Sequence, residues 1–333
     1  MGTAALEKSE LVHARAIVES YADNPSAFLA LNGGNRHFTC PDLDGVVVYR
    51  ESGRRLVQFG GPFAATADAR PLLDRFGEFA RAAHRRVVAI QVQSGEVGLY
   101  EAAGYTVNQI GGSYAVDLSR FTLRGSKFVR LRNKISRATR GGLIVREAPL
   151  VGWAPAMGVL DNLWLGAKGK HAKELEFLVG ERGGPVQSDR RLFVGTINGV
   201  LAGYVSYSPA YGSRPGWLHD LSRRVPDGPP GIMEAINSHA IGTFSAEGAA
   251  WLHFGFTPFT GLAPALATDS TSRWFAWVVR QLSERGAAVY PAATQLAYKA
   301  KWAPHAVIPE YIAFQGRASL YGFLQVFKAA NAL

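Results

Sequence analysis

Val116-Asp117-Leu118-Ser119-Arg120-Phe121-Thr122-Leu123-Arg124-Gly125-Ser126-Lys127 runs directly into Phe128-Val129-Arg130-Leu131-Arg132, and this stretch divides the chain. From Arg120 to Arg140 there are eight basic residues (Arg120, Arg124, Lys127, Arg130, Arg132, Lys134, Arg137, Arg140) and no acid. Lys127, Arg130, Lys134 and Arg137 fall at i, i+3, i+7 and i+10. The spacing predicts a helix that gathers them on one face and Leu131, Ile135 and Ala138 on another. Such a helix docks through its apolar side and presents unmixed positive charge to a polyanion.

The same order of elements is predicted on either side of it. Before it, Gly45–Arg50 and Leu56–Phe59 form strands about the Glu51-Ser52-Gly53-Arg54 turn. Ala67–Ala83 has helical spacing, Val87–Val92 is a buried strand, Val97–Ala103 is a short helix stopped by Gly104, and a last strand ends at Leu118. After it, Trp153–Gly166 is helical, and Leu192–Ile197 and Leu201–Tyr207 form a hairpin about Asn198-Gly199. Trp217–Leu221 is a strand, Ile232–Gly242 a helix, Trp251–Phe256 a strand and Ser272–Arg285 a helix. Two successive units of helix, hairpin, strand, helix and strand imply a tandem duplication of one α/β fold. The expected division is residues 1–122, a basic linker at 123–145, and residues 146–333.

Composition sets the class. A chain of 333 residues with 47% hydrophobic and 19% charged residues has a globular core and room for two domains. The net charge of +10 and pI near 9.8 call for a phosphate-bearing partner: nucleic acid, an anionic membrane surface or a phosphorylated ligand. One cysteine, Cys40, excludes an internal disulfide and a multi-cysteine metal site, and the eight histidines show no ligand spacing. Residues 1–20 lack a signal-peptide core, and no apolar run approaches the roughly 18 residues a spanning helix needs. A soluble, cytoplasmic protein is expected, with no metal.

Four segments in register resemble the C-terminal catalytic domain of the aminoacyl-phosphatidylglycerol synthases, the tRNA-dependent half of the multiple peptide resistance factor family. They are Val116–Leu123 with the following basic helix; Leu160-Asp161-Asn162-Leu163-Trp164-Leu165 with Lys168, Glu174, Phe177 and Gly180; His219-Asp220-Leu221-Ser222-Arg223 with Gly231–Glu234 and Gly255–Leu262; and Tyr298-Lys299-Ala300-Lys301-Trp302 with Pro309–Ala313. The resemblance spans about 250 residues. It implies a tandem pair of Gcn5-related N-acetyltransferase-like domains, aminoacyl-tRNA as co-substrate, and no other cofactor. The chain departs from the family pattern in having Tyr290-Pro291 for Tyr-Asn, and His219 where a small or apolar residue is usual. The family's N-terminal membrane domain is expected to be absent.

An aminoacyl ester is already activated, so the resemblance asks for groups that position it, deprotonate an acceptor and stabilise the oxyanion. It points to Asp220, Arg223, Lys299 and Lys301 as the reacting set, with His219, Glu234, Glu174 and Trp302 around the substrate. Arg124, Lys127, Arg130, Arg132, Lys134, Arg137 and Arg140 are the expected tRNA contacts. Lys299 and Lys301 alternate, so a strand would put them on one face and a loop could turn both into a pocket; on a strand His219 and Asp220 would point oppositely. Asp220 has a structural alternative in a pair with Arg223 or Arg224, and Trp302 one in the core.

The expected reaction moves an amino acid from tRNA to an amine or hydroxyl, and a soluble natural-product intermediate is the acceptor the sequence favours. A lipid head group reached peripherally through the basic surface is the alternative. Two further readings are an acyl-CoA N-acetyltransferase and a non-catalytic tRNA-binding protein. Against the first stands Arg223-Arg224-Val225-Pro226-Asp227-Gly228-Pro229-Pro230-Gly231, whose prolines remove the amide donors a pyrophosphate needs.

Overall fold

The computed structural model describes residues 2–169, 173–285 and 292–333; Tyr290-Pro291 lies outside them. α1 (Gly2–Tyr21) lays Ala14, Ile17 and Val18 against the sheet that follows. β1 (Arg36–Phe38), β2 (Gly45–Ser52) and β3 (Arg55–Phe59) form an antiparallel ladder, and β4 (Phe63–Ala64) pairs β2 on the side. α2 (Thr66–Ala82) buries Leu72, Leu73, Phe76 and Ala80, as its spacing requires, and returns the chain to β5 (Arg86–Gln93), parallel to β3. α3 (Val97–Ala102) ends at Gly104, whose φ is +77°, before β6 (Tyr105–Asp117).

The basic segment is shorter as a helix than its charge pattern suggests. Only α4 (Val129–Arg140) is α-helical, preceded by a single 3₁₀ turn at Ser126–Phe128. Gly125 has φ +93° and Thr122 Oγ1 accepts from the Arg124 amide, so the chain is held in a turn where helix would have to start. Arg124 and Lys127 therefore stand off the α4 face. Leu131 and Ala138 are buried as expected.

The second unit repeats the first. It contains β7 (Leu143–Ala148), α5 (Ala154–Lys168), β8 (Arg191–Ile197), β9 (Val200–Ala210), β10 (Gly216–Arg224), α6 (Ile232–Ala246) and β11 (Trp251–Pro258). Asn198 and Gly199, at φ +51° and +79°, close the predicted hairpin. β7 to β10 are antiparallel, and β10 and β11 are parallel through α6, as β3 and β5 are through α2. α7 (Arg273–Arg285) and α8 (Ala292–Ala300) follow. The chain thus folds as a tandem pair of Gcn5-related acyltransferase-like units.

The last strand crosses between them. β12 (Ala306–Gln315) inserts between β5 and β6, antiparallel to both, and α9 (Leu320–Ala329) packs over β2, β3 and β5. One sheet results, ordered β1-β2-β3-β5-β12-β6-β11-β10-β9-β8-β7. Lys299 ends α8 and Lys301 follows in a turn, so neither lies on a strand: Ala292-Ala293-Thr294-Gln295-Leu296-Ala297-Tyr298 contains no helix breaker.

The contact of α4 with the start of α6 is tight. Gly231 has φ +101°, and a Cβ there would sit 2.1 Å from the Lys134 carbonyl oxygen. Gly231→Ala is expected to cost about 2–4 kcal/mol, from left-handed strain plus displacement of α4, measurable by urea unfolding.

Candidate active site

β10 and β11 pair only from Gly216 to Leu218 and from Trp251 to His253. A bulge between His219 and Leu221 then leaves β10 with β9 alone, and one between His253 and Phe256 leaves β11 with β6. The two strands part at their C-terminal ends, where open α/β sheets place ligands.

Lys299, in the last turn of α8, fills this parting. Its ammonium donates to Gly255 O at 2.7 Å and Phe256 O at 3.1 Å, at the β11 bulge, and is buried. Glu310 of β12 lies close by, fully buried; Ser113 Oγ donates to its Oε1, and its Oε2 has no hydrogen-bond partner. Burial pushes Glu310 up to about 7, against the pull of Ser113, Lys299 and the neighbouring Gln93 amide. Burial also brings Lys299 down to about 7, against the pull of Glu310. A carboxyl poised near neutral pH with one oxygen unsatisfied is equipped to take a proton or hold an ammonium. A cavity of about 490 Å³ lined by Gln93, Tyr211, Arg214, His305, Ile308 and Pro309, among others, adjoins it through Gln93 and Pro309.

His219 sits on the same parting. Asn237, in α6, donates from Nδ2 to Met233 O at 3.0 Å and to Tyr298 Oη at 2.6 Å, which fixes its amide. Its Oδ1 accepts from Tyr207 Oη at 2.7 Å and faces His219 Nδ1 at 3.0 Å. Nδ1 therefore carries the proton and Nε2 the free lone pair. Burial, with Lys299 nearby, pushes His219 down to about 4, so the ring is neutral at pH 7.

Glu234, in the first turn of α6, is buried between Lys301 at 3.0 Å and Lys134 at 3.5 Å. Burial alone would raise its pKa, but the two lysines prevail and hold it below the usual carboxylate range. Lys134 thus joins the basic helix to this cluster. The other α4 cations differ in their freedom. Arg130, Arg137 and Arg140 are exposed, whereas Arg132 donates to Leu123 O at 2.5 Å and Gly125 O at 2.9 Å and ties down the linker. Lys127 lies 4.9 Å from the Phe128 ring. Arg124 and Arg132 line an open hollow of about 500 Å³.

Asp220 lies in the β10 bulge next to His219 but has different partners. Its carboxylate meets Arg190 at 3.0 Å with both side chains wholly buried, and Arg190 reaches Asn32 Oδ1 at 2.5 Å and covers the Phe28 ring. Burial raises the Asp220 pKa against the pull of Arg190. The partner is Arg190, neither Arg223 nor Arg224, and the pair clamps β10 to the first unit. Arg223 stacks on Trp164 at 4.1 Å, with Glu174 at 3.7 Å and Lys168 on the same ring at 4.5 Å. Asp161 accepts from Tyr204 Oη at 2.5 Å and Arg182 Nε at 3.0 Å. Trp302 is wholly buried, stacked on Phe254 at 5.6 Å between centroids.

The predicted residues therefore fall into separate groups. Lys299, His219, Lys301 and Glu234 gather about the parting of β10 and β11; Asp220 and the Arg223–Glu174 pair lie elsewhere. Glu310, which stands in the Pro309–Ala313 segment of the fourth motif without an assigned role, joins the first group, as do Ser113 and Asn237, which no motif contains. Glu310 alone carried a signal, an acid in the otherwise apolar run Ile308-Pro309-Glu310-Tyr311-Ile312. The Arg224–Gly231 loop offers few amides: three of its residues are proline, and the Val225 and Gly228 amides are already bonded to Ala202 O and Val225 O.

Residues 15–314 match the family model for the C-terminal part of phosphatidylglycerol lysyltransferase. The chain is 23% identical over 321 residues to a phosphatidylglycerol lysyltransferase of Bacillus subtilis, covering 94% of this chain and 36% of that protein. It spans about a third of that relative's length. Among solved structures, the C-terminal domain of a candidate lysylphosphatidylglycerol synthetase from Agrobacterium fabrum superposes with a TM-score of 0.79 at 21% identity, covering 98% of each chain. L-PGS from Bacillus licheniformis does so at 0.77 and 20%, covering 97% of each. These two share the fold. With the match running through both units and β12, the chain belongs to the phosphatidylglycerol lysyltransferase C-terminal family.

Proposed function

We propose that the chain is an aminoacyltransferase that takes an amino acid from the 3′ end of tRNA to a hydroxyl of a lipid head group. The observation that carries this is Lys134, which sits on the acid-free helix and pairs directly with Glu234 beside the parting of β10 and β11. A polyanion held along α4 brings its end to the Lys299–Glu310–His219 group. The acceptor hydroxyl attacks the ester carbonyl, giving up its proton to Glu310, with neutral His219 beside it. The tRNA ribose oxygen leaves and regains a proton, so one ester is exchanged for another and no oxidant or cofactor is consumed. Lys299 and Lys301 supply positive charge for the oxyanion. The family's description and the basic charge favour the lipid over the soluble intermediate that sequence favours, for which no feature of the cavity speaks.

The test incubates the protein with tRNA charged with labelled amino acids, plus either phosphatidylglycerol in micelles or a polar extract. RNase-sensitive label in the lipid is expected. Label in the polar fraction alone would restore the soluble acceptor. Label left on tRNA would overturn the reading. For the donor, Arg130→Glu with Arg137→Glu is expected to weaken tRNA binding more than tenfold at low salt and to flatten the salt dependence by about two charges, read by filter binding.

A further inference from the structure

The inner sides of α7 and α9 are core: Phe275 and Val279 of α7 and Phe323 and Val326 of α9 are buried, with Phe275 and Phe323 in contact at 5.3 Å between centroids. Their outer sides are also apolar. Trp274 and Trp277 are 48% and 55% exposed, and Leu320, Tyr321 and Leu324 are 50%, 43% and 42% exposed. Two helices that meet through one aromatic seam thus turn five large apolar side chains to solvent, whereas singly scattered ones would need no explanation.

The charge around this surface is mostly positive. α7 and residues 316–333 carry Arg273, Arg280, Arg285, Arg317 and Lys328 against a single acid, Glu284. Tyr321 additionally holds Arg55 over its ring at 5.1 Å. Tryptophan and leucine in the middle with arginine and lysine at the border is the pattern of a helix that lies in a bilayer interface, with aromatic rings at head-group depth and cations against anionic lipid. A second protein chain would need no such surplus of cations. Among the described residues no helix is long and apolar enough to cross a membrane, so the contact is peripheral. The surface belongs to a different core cluster from the one that seats α4, which leaves the basic helix for another polyanion.

We propose that the outer faces of α7 and α9 form a docking surface for an anionic bilayer. The inference deepens the reading above and rests on it for its purpose, since docking here carries the chain to a lipid acceptor. The whole chain is floated with vesicles of phosphatidylglycerol and phosphatidylcholine, and with phosphatidylcholine alone, in the absence of tRNA. Binding to the anionic vesicles is expected, with a blue shift of tryptophan emission. Trp274→Ala with Trp277→Ala should lower it by on the order of tenfold or more, and Arg273→Glu with Arg280→Glu likewise, while Arg130→Glu with Arg137→Glu changes it less. Binding unchanged in the tryptophan variant, or equal on neutral vesicles, overturns the proposal. So does a dimer in solution that the tryptophan variant dissociates, which would assign the face to a second copy. Transfer to short-chain phosphatidylglycerol in micelles separates the two claims. The tryptophan variant should keep it; its absence in the unaltered protein defeats the transferase reading while leaving vesicle binding to be judged by itself.

Discussion

Glu310→Gln is expected to lower transfer from aminoacyl-tRNA by about 10²–10⁴-fold, the range for loss of a positioned proton acceptor, with tRNA binding unchanged. The expectation follows from one buried carboxyl oxygen with no partner, a serine on the other oxygen and a lysine close enough to oppose its shift. Glutamine keeps the shape and the bond to Ser113 but accepts no proton. The fold should persist, and the sign of the pH effect gives a control. Because the folded-state pKa of Glu310 lies near 7, above its ordinary 4.5, the folded protein binds the proton more tightly than the unfolded chain. Unmodified protein therefore loses stability as pH rises from about 4.5 to 7. Glu310→Gln removes that slope, so it should gain stability relative to the parent at pH 8. Loss of activity with loss of stability at pH 8 would point to a packing role.

Asp220→Ala is expected to destabilise the protein by about 3–5 kcal/mol, because it strands the Arg190 guanidinium in a site sealed from solvent. Asp220→Ala with Arg190→Met should recover a good part of this, as apolar replacement of both partners leaves no buried charge. Urea unfolding of the single and double variants measures both. Were Asp220→Ala to abolish transfer with stability intact, the carboxylate would belong to the reacting groups, as its place in the His219-Asp220-Leu221-Ser222-Arg223 motif suggests.

Much of the architecture was legible because it is local. The Asn198-Gly199 turn, the period of Leu72, Leu73 and Phe76, and the stop at Gly104 each follow from a few neighbouring residues. The insertion of β12 between β5 and β6 was not, since nothing in Ala306–Gln315 says which strands, some 200 residues earlier, it will join. The site divides in the same way. Lys299, Lys301 and Glu234 could be named from motif positions, but their geometry depends on α8 being helical and on Lys134 arriving from the linker. The partner of Asp220 was sought in Arg223 or Arg224 because Arg190, its actual partner, is 30 residues away on β8's approach and carries no motif. Glu310 and Asn237 acquire meaning only where β10 and β11 part, which is a property of two bulges.

The most direct test of the account is single-turnover transfer from charged tRNA to phosphatidylglycerol between pH 5.5 and 8.5, with the parent protein and Glu310→Gln side by side. Parent protein should give RNase-sensitive transfer with an inflection near pH 7, and the variant a rate at least about 100-fold lower with the Glu310 contribution to that inflection gone. Equal rates for the two proteins, or a parent profile unchanged across the range, would contradict it.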